Sequence, residues 1–197
     1  MEDKASALRY KWMTLWQPVI YGRKFGAFGR GSALHRPIRI MGKKKIFIGN
    51  HVHILDNARM ETVAAFGKKR FSPCLTIGDN TSIEQGFHAI ASGHLNIGSE
   101  VTISGNVFVS DCYHNYTDLD TDVMNQPLMY ARTAIGDYCF IGYGASIQPG
   151  AVLGKQVIVG SNAVVLKGEY PDHCVLAGVP AKIIKKYNES NGSWEKP

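Results

Sequence analysis

Between Thr133 and Lys167 a large aliphatic residue returns at every sixth position: Ile135, Ile141, Ile147, Leu153, Val159 and Val165. Two residues ahead of each stands a smaller partner: Thr133, Cys139, Ala145, Ala151, Val157 and Ala163. Glycine follows the aliphatic at Gly136, Gly142, Gly154 and Gly160. Such a period matches neither a helix nor a free-standing alternating strand; a fixed short period marks a repeat architecture. It fits a coil of three flat faces, one hexapeptide per face, with the aliphatic and its small partner pointing into a narrow core. Glycine then takes corners where a side chain would be awkward. The expected fold is all-β, a parallel β-helix of hexapeptide repeats. Spacing leaves its handedness open, and a left-handed coil breaks the usual right-handed preference of parallel crossovers.

Outside that run the repeat is less regular. It starts faintly at Ile48-Gly49, continues through Ile54 to Met60, breaks over 61–74, and restarts at Ile77-Gly78 and Ile83. Residues 61–74 are expected to bulge outward. Ile97-Gly98 lies 20 residues after Ile77 rather than 18, which two extra residues at one corner explain. Ile103 and Val109 follow in phase, and then the polar stretch 113–132 intervenes. A long loop in an otherwise regular solenoid is where function is expected. After Lys167 the chain reads as a turn, one more short strand and a basic tail, and 188–197 as a frayed or short helical end. Residues 1–45 show no hexad. There Leu8, Trp12, Leu15 and Trp16 have helical spacing, and Pro18 is expected to end or bound that pattern. The chain thus divides into an N-terminal basic cap segment (1–45), a parallel β-helix domain (46–187, with the protruding loop 113–132) and a short C-terminal tail (188–197).

Charge is uneven. Residues 1–45 hold 11 Lys/Arg against 2 Asp/Glu, while the remaining chain holds 11 against 14. The positive excess belongs to the N-terminal segment, which reads both as a cap protecting the first coil and as a surface for an anionic membrane. No nucleic-acid-binding motif accompanies the charge, so no nucleic acid is expected as partner. No apolar run is long enough to span a bilayer, and Lys4, Arg9 and Lys11 interrupt any signal-peptide core. The expected location is cytoplasmic, peripheral to the inner face of the cell membrane through residues 1–45. Cys74, Cys112, Cys139 and Cys174 show neither CxxC nor zinc-type spacing and read as reduced, mostly buried thiols. The outward positions near Tyr138, Phe140 and Tyr143 carry little charge and invite self-association; a prism of three-fold cross-section suits a symmetric trimer.

The repeats, SDCYH, IGYGASIQPGAVLG and VVLKGEYPDHCVLAGVPAKIIKKY together resemble the hexapeptide-repeat acyltransferases. Within that family they look most like the O-acetyltransferases of sugars and bacterial surface polysaccharides, with the galactoside and maltose acetyltransferase branch. The likeness covers roughly 75–187, more loosely 46–74, and none of the first 45 residues; Gln148-Pro149-Gly150 and Ala177 to Lys182 are its specific motifs. It implies a left-handed parallel β-helix, a homotrimer, and acetyl-CoA as acyl donor in clefts between subunits, with no metal required. It also implies that His114, following Asn106 to Ser110, is the catalytic base, since imidazole is the side chain whose ordinary titration lies near neutral pH. The tetrahedral oxyanion would need a donor such as a backbone N–H in the 142–145 turn.

For the CoA site the resemblance implies Tyr143, Ser161, Leu166, Lys167, Lys182 and Lys185. The lysines suit the phosphates, although the galactoside branch has a small residue at position 143 and arginine at 182 and 185. On the acceptor side the branch's sugar-holding pair has no clear match; Glu84, His88, Ser92 and His94 are substitutes by position, and Tyr116, Asp118 and Gln126 contact a sugar or brace the loop. The implied acceptor is a sugar or oligosaccharide hydroxyl of a surface polysaccharide or its precursor. N-acylation of an amino sugar or nucleotide amino sugar, and antibiotic modification, share the fold and mechanism. Two readings lie outside transfer: a γ-type carbonic anhydrase, which places a histidine five residues after the one at 114, where this chain has Leu119, and a non-catalytic scaffold.

Overall fold

The computed structural model describes residues 4–196. Residues 1–3 of the expected cap and Pro197 of the expected tail lie outside the described residues. The hexads wind as predicted into a coil whose strands stack on three parallel faces. The first face runs Ala27–Phe28, Ile46–Ile48, Cys74–Ile77, His94–Ile97, Thr133–Ile135, Ala151–Leu153 and Gly168–Tyr170. The second face begins at Ala33–Leu34 and passes through His53–Ile54, Ser82–Ile83, Thr102–Ile103, Phe140–Ile141 and Ile158–Val159 to Cys174–Gly178. The third comprises Arg39–Met41, Arg59–Thr62, His88–Ala91, Phe108–Ser110, Ser146–Ile147 and Val164–Val165.

All twelve inward positions of the Thr133–Val165 run are buried, and Ile135 stands over Leu153 in register. Removing a stack of branched aliphatics from water stabilises each coil against its neighbours at roughly 25 cal/mol per Å². Ile77 pairs with Ile97, so the 20-residue step is real. Its two extra residues sit at the corner joining the third face to the first, where Ser92-Gly93 follows the four-residue strand His88–Ala91.

The repeat begins earlier than the sequence suggested. Ala27–Phe28, Ala33–Leu34 and Arg39–Met41 open the three sheets, so a complete first coil lies inside the segment read as cap. Phe28, Leu34 and Ile40 keep the six-residue step, with Phe28 and Leu34 buried and Ile40 packed on the core. Their partners two residues ahead are Gly26, Ser32 and Ile38, and Ile38 is exposed, which disguises the pattern. The cap proper is helix α1, Lys4–Gly22, and it runs through Pro18 instead of stopping there. A mid-helix proline costs about 3 kcal/mol. Contacts on both sides of it offset that cost: Met13 and Gln17 are buried, and Tyr21 packs on the core.

Two hairpins leave the coil, both at the third-to-first corner. Residues 61–74 bulge outward as Ala65–Phe66 paired with Lys69–Arg70. The polar stretch forms Cys112–His114 paired with Leu128–Tyr130. At the far end Ala181–Asn188 turns back antiparallel on Cys174–Gly178. The last residues are not helical: Ser193–Glu195 pairs with Ala181–Asn188, and the Trp194 ring meets Tyr187 at 5.5 Å. That aromatic contact and the side-chain bonds from Asn188 and Asn191 to Glu195 tie down an end that composition alone marks as loose.

Candidate active site

The base of the long loop is tied to the coil. Its backbone leaves the third face through Asp111, whose buried carboxylate accepts hydrogen bonds from the Ser92 and Gly93 N–H groups at 2.7 and 2.8 Å. Burial pushes this carboxyl above the ordinary range, and the two N–H donors oppose the rise. Three residues on, His114 is the last residue of its strand, opposite Leu128. Its ring is half-buried and meets Phe66 of the other hairpin edge-on, centroids 5.0 Å apart. His114 Nδ1 is buried with no hydrogen-bond partner among the described residues, which leaves Nε2 as the nitrogen able to meet a substrate.

The two hairpins are also joined by Lys69, whose ammonium donates to the Leu128 carbonyl at 3.2 Å. A cavity of about 440 Å³ lies between them, with Phe66, Lys68, Met124, Gln126 and Pro127 among its walls. Asp111, Phe66 and Lys69 were not anticipated from the sequence as parts of this site. The only signals were the SDCYH segment itself and the break in the repeat at 61–74.

Beyond its base the loop is held by its own side chains. The Gln126 amide is buried and fully used: Oε1 accepts from Asp118 N, and Nε2 donates to the carbonyls of Asp118 and Thr121. Asp118 accepts from Asp120 N and the Thr121 hydroxyl, and those bonds, the hydroxyl's first, hold its carboxyl below the usual carboxylate range. Of the two roles open to Asp118 and Gln126, both serve the shape of the loop, whereas Tyr116 is exposed.

The remaining acceptor candidates are spread out. Glu84 sits at the second-to-third corner, half-buried. His88 lies on the third face, its ring 5.2 Å from Phe108 and its Nε2 buried without a partner among the described residues. Burial first, and then the charge of Arg59, lowers its pKa. Beside it Glu61 accepts from both Arg39 and Arg59 at 2.9 Å. Ser92 is fully buried under the loop, and His94 is exposed where the first face resumes.

Of the residues expected to hold CoA, all but Lys185 fall at the two edges of the third face. Tyr143 and Ser161 occupy its leading corner, one coil apart, and both are exposed. The Tyr143 hydroxyl accepts from Asn106 Nδ2 at 2.6 Å. Lys182 pairs with Ala177, the residue that a side chain on Gly160 would touch, so it joins the same corner. Lys185 pairs with Val175 on the second face. Leu166 and Lys167 lie at the trailing corner, the one from which the His114 hairpin leaves two coils earlier. Around 142–145 the N–H groups of Gly142, Gly144 and Ala145 are all hydrogen-bonded. That of Tyr143 makes no bond among the described residues. Within one chain, therefore, His114 and the Tyr143–Ser161 corner stand at opposite edges of one face.

Known proteins share the repeat and the fold. The bacterial transferase hexapeptide family (six repeats) matches residues 132–167. A putative lipopolysaccharide biosynthesis O-acetyl transferase of Escherichia coli K12, WbbJ, is 35% identical over 127 residues, 60% of this chain and 63% of that protein. The galactoside O-acetyltransferase of the same organism is 26% identical, covering 77% of this chain and 80% of that one. The chain spans about three fifths of the length of several curated relatives, WbbJ among them. Among solved structures, a mutant of AntD, an N-acyltransferase from Bacillus cereus in complex with dTDP and coenzyme A, superposes with a TM-score of 0.71. At 17% identity, with 89% and 90% of the two chains covered, that likeness is one of fold. The shared fold is the left-handed parallel β-helix, as the resemblance implied. By its repeats, its coil and these relatives, the chain is similar to the hexapeptide-repeat acyltransferases.

Proposed function

We propose that the protein is an acetyl-CoA-dependent O-acetyltransferase acting on a sugar hydroxyl of a surface polysaccharide or its precursor. The observation that carries this reading is His114, held on a braced hairpin with Nδ1 buried and its ring against Phe66, a wall of the cavity between the two hairpins. A sugar hydroxyl is a poor nucleophile at neutral pH, and His114 Nε2 takes its proton as the oxygen attacks the thioester carbonyl. The Tyr143 N–H, unbonded among the described residues, is the donor for the oxyanion that forms. Collapse of that intermediate breaks the C–S bond, and the imidazolium returns its proton to the leaving thiolate. The products are the acetyl ester and free CoA. Lys167, Lys182 and Lys185 are the partners for the CoA phosphates, with Tyr143, Ser161 and Leu166 along its path.

His114 and the Tyr143 corner lie at opposite edges of a face, and this supports a homotrimer in which one subunit's loop meets the next subunit's corner. Peripheral contact of residues 1–45 with the inner face of a membrane belongs to the same reading. The acceptor test is thiol release from acetyl-CoA with a panel of free sugars, nucleotide sugars, amino sugars and lipid-linked oligosaccharides. Release confined to amines would redirect the reading to N-acylation; release with no member would sink it. His114→Ala should lower turnover by about 10²–10⁴-fold while the oligomer keeps its mass. Near-normal turnover would remove His114 from the mechanism.

A further inference from the structure

Helix α1 has two apolar faces. Met13 and Gln17 are buried on the first coil and Tyr21 packs on its core, a spacing of four that keeps one side of the helix inward. Leu8, Trp12, Leu15, Trp16, Val19 and Ile20 fall, at 3.6 residues per turn, within about 140° of arc on the other side. All six are exposed, Leu8, Leu15 and Val19 by 70%, 65% and 66%. Arg9 falls toward the edge of the same arc, between Trp16 and Ile20; soluble proteins rarely leave an apolar stripe of this size uncovered. Among the described residues no helix is long and apolar enough to cross a membrane.

Charge decides what covers it. Residues 4–45 contain 11 Lys/Arg and no Asp/Glu. Arg9 and Lys11 lie on the helix; Arg23, Lys24 and Lys43 to Lys45 are grouped at its C-terminal end, and all seven are exposed. The Lys44 ammonium donates to the Arg23 carbonyl, which ties the two basic groups together. A second copy laid on this stripe would press like charges against like. An anionic bilayer offers acyl chains to the stripe and headgroup phosphates to its basic flank, and tryptophan is the residue suited to the boundary between them.

We propose that α1 is an interfacial anchor that lies flat in an anionic lipid surface, with its Leu8–Ile20 stripe in the acyl boundary and Arg23, Lys24 and Lys43 to Lys45 on the headgroups. This rests on the membrane-peripheral part of the reading above and is independent of the transferase part. Because α1 covers the first-coil end, three copies in a trimer present three anchors in one plane, and their joint binding far exceeds that of one.

The experiment is vesicle flotation of the full chain, with Trp emission read in parallel. With vesicles containing phosphatidylglycerol, at least a tenfold larger bound fraction is expected than with phosphatidylcholine alone. The emission should shift to the blue, and binding should weaken with salt. Trp12→Glu/Leu15→Glu/Val19→Glu should abolish flotation while thiol release with a soluble acceptor and the oligomeric mass stay unchanged. Lys24→Gln/Lys43→Gln/Lys45→Gln, which leaves the stripe intact, should lose the preference for anionic vesicles. Failure of the native chain to float with anionic vesicles would overturn the proposal whatever its enzymatic activity. So would a fall in oligomeric mass of the triple glutamate variant that still folds, because the stripe would then be a contact between copies.

Discussion

At the scale of single residues, small polar groups inside the core do the work of joining coils. Ser32 donates to the Gly49 carbonyl and accepts from Val52 N; Thr81 bridges Gly98 and Val101 in the same way. Cys139 occupies the equivalent place, and burial drives its thiol up to about 11, which keeps it protonated and unreactive. Glycine is demanded at Gly144, where φ is +69° and a Cβ would strike the Asn162 side chain. On the surface the Arg36 guanidinium, by hydrogen bonding and then through its backbone N–H, brings the Asp56 pKa from 3.8 to about 2. A depressed folded value means that the pair's contribution is complete above about pH 4 and is lost as the pH falls toward 2. Asp56→Asn should therefore be less stable than the native chain at neutral pH, with the gap closing between pH 4 and 2. Denaturation midpoints measured across that range check it, and a gap that does not change with pH would refute the ion pair.

Among the elements, α1 shows how an end is protected. Gln17 Nε2 donates to the Leu34 carbonyl at 2.8 Å, and its Oε1 accepts from Leu34 N at 2.7 Å. One side chain thus completes the edge strand Ala33–Leu34 as another strand would. Gln17→Ala leaves both backbone groups buried and unpaired and should cost roughly 2–4 kcal/mol. Chemical denaturation at fixed protein concentration would register the loss; an unchanged midpoint would show that water replaces the amide without penalty. Nothing in the spacing of residues 1–45 announces this pairing, because a glutamine that mimics a strand leaves no period. The first coil was hidden for a related reason, since Phe28 is aromatic where later coils are aliphatic and Ile38 points outward. From Thr133 to Val165 every inward position was legible because each hexad repeats the same pair; beyond Lys167 one short strand is expected, and the coil instead continues through Gly168–Tyr170 and Cys174–Gly178. Local motifs singled out His114 and the lysines proposed for CoA. What spacing could not give is which corner each motif occupies, so Phe66 and Lys69, brought beside the His114 hairpin by stacking across coils, went unseen, as did the Ser92 and Gly93 bonds that fix Asp111.

For the whole molecule the decisive test is complementation between subunits. On the proposed trimer, subunits carrying His114→Ala and subunits carrying Lys182→Ala/Lys185→Ala are each impaired alone. Co-expressed at equal levels, random mixing leaves about a quarter of the shared sites with both halves intact, which should restore turnover at low acetyl-CoA to about that fraction. No gain above the two parents would mean that each chain completes its own site. The position of the two hairpins has a consequence of its own. Both leave at the third-to-first corner, and the strands on either side of each keep their register, His53 with Ser82 and Thr102 with Phe140. Lengthening such an excursion costs only the slowly growing entropy of closing a larger loop. The coil can therefore be held constant while the excursions change in length and chemistry, and relatives that acylate different acceptors would be told apart at this one seam.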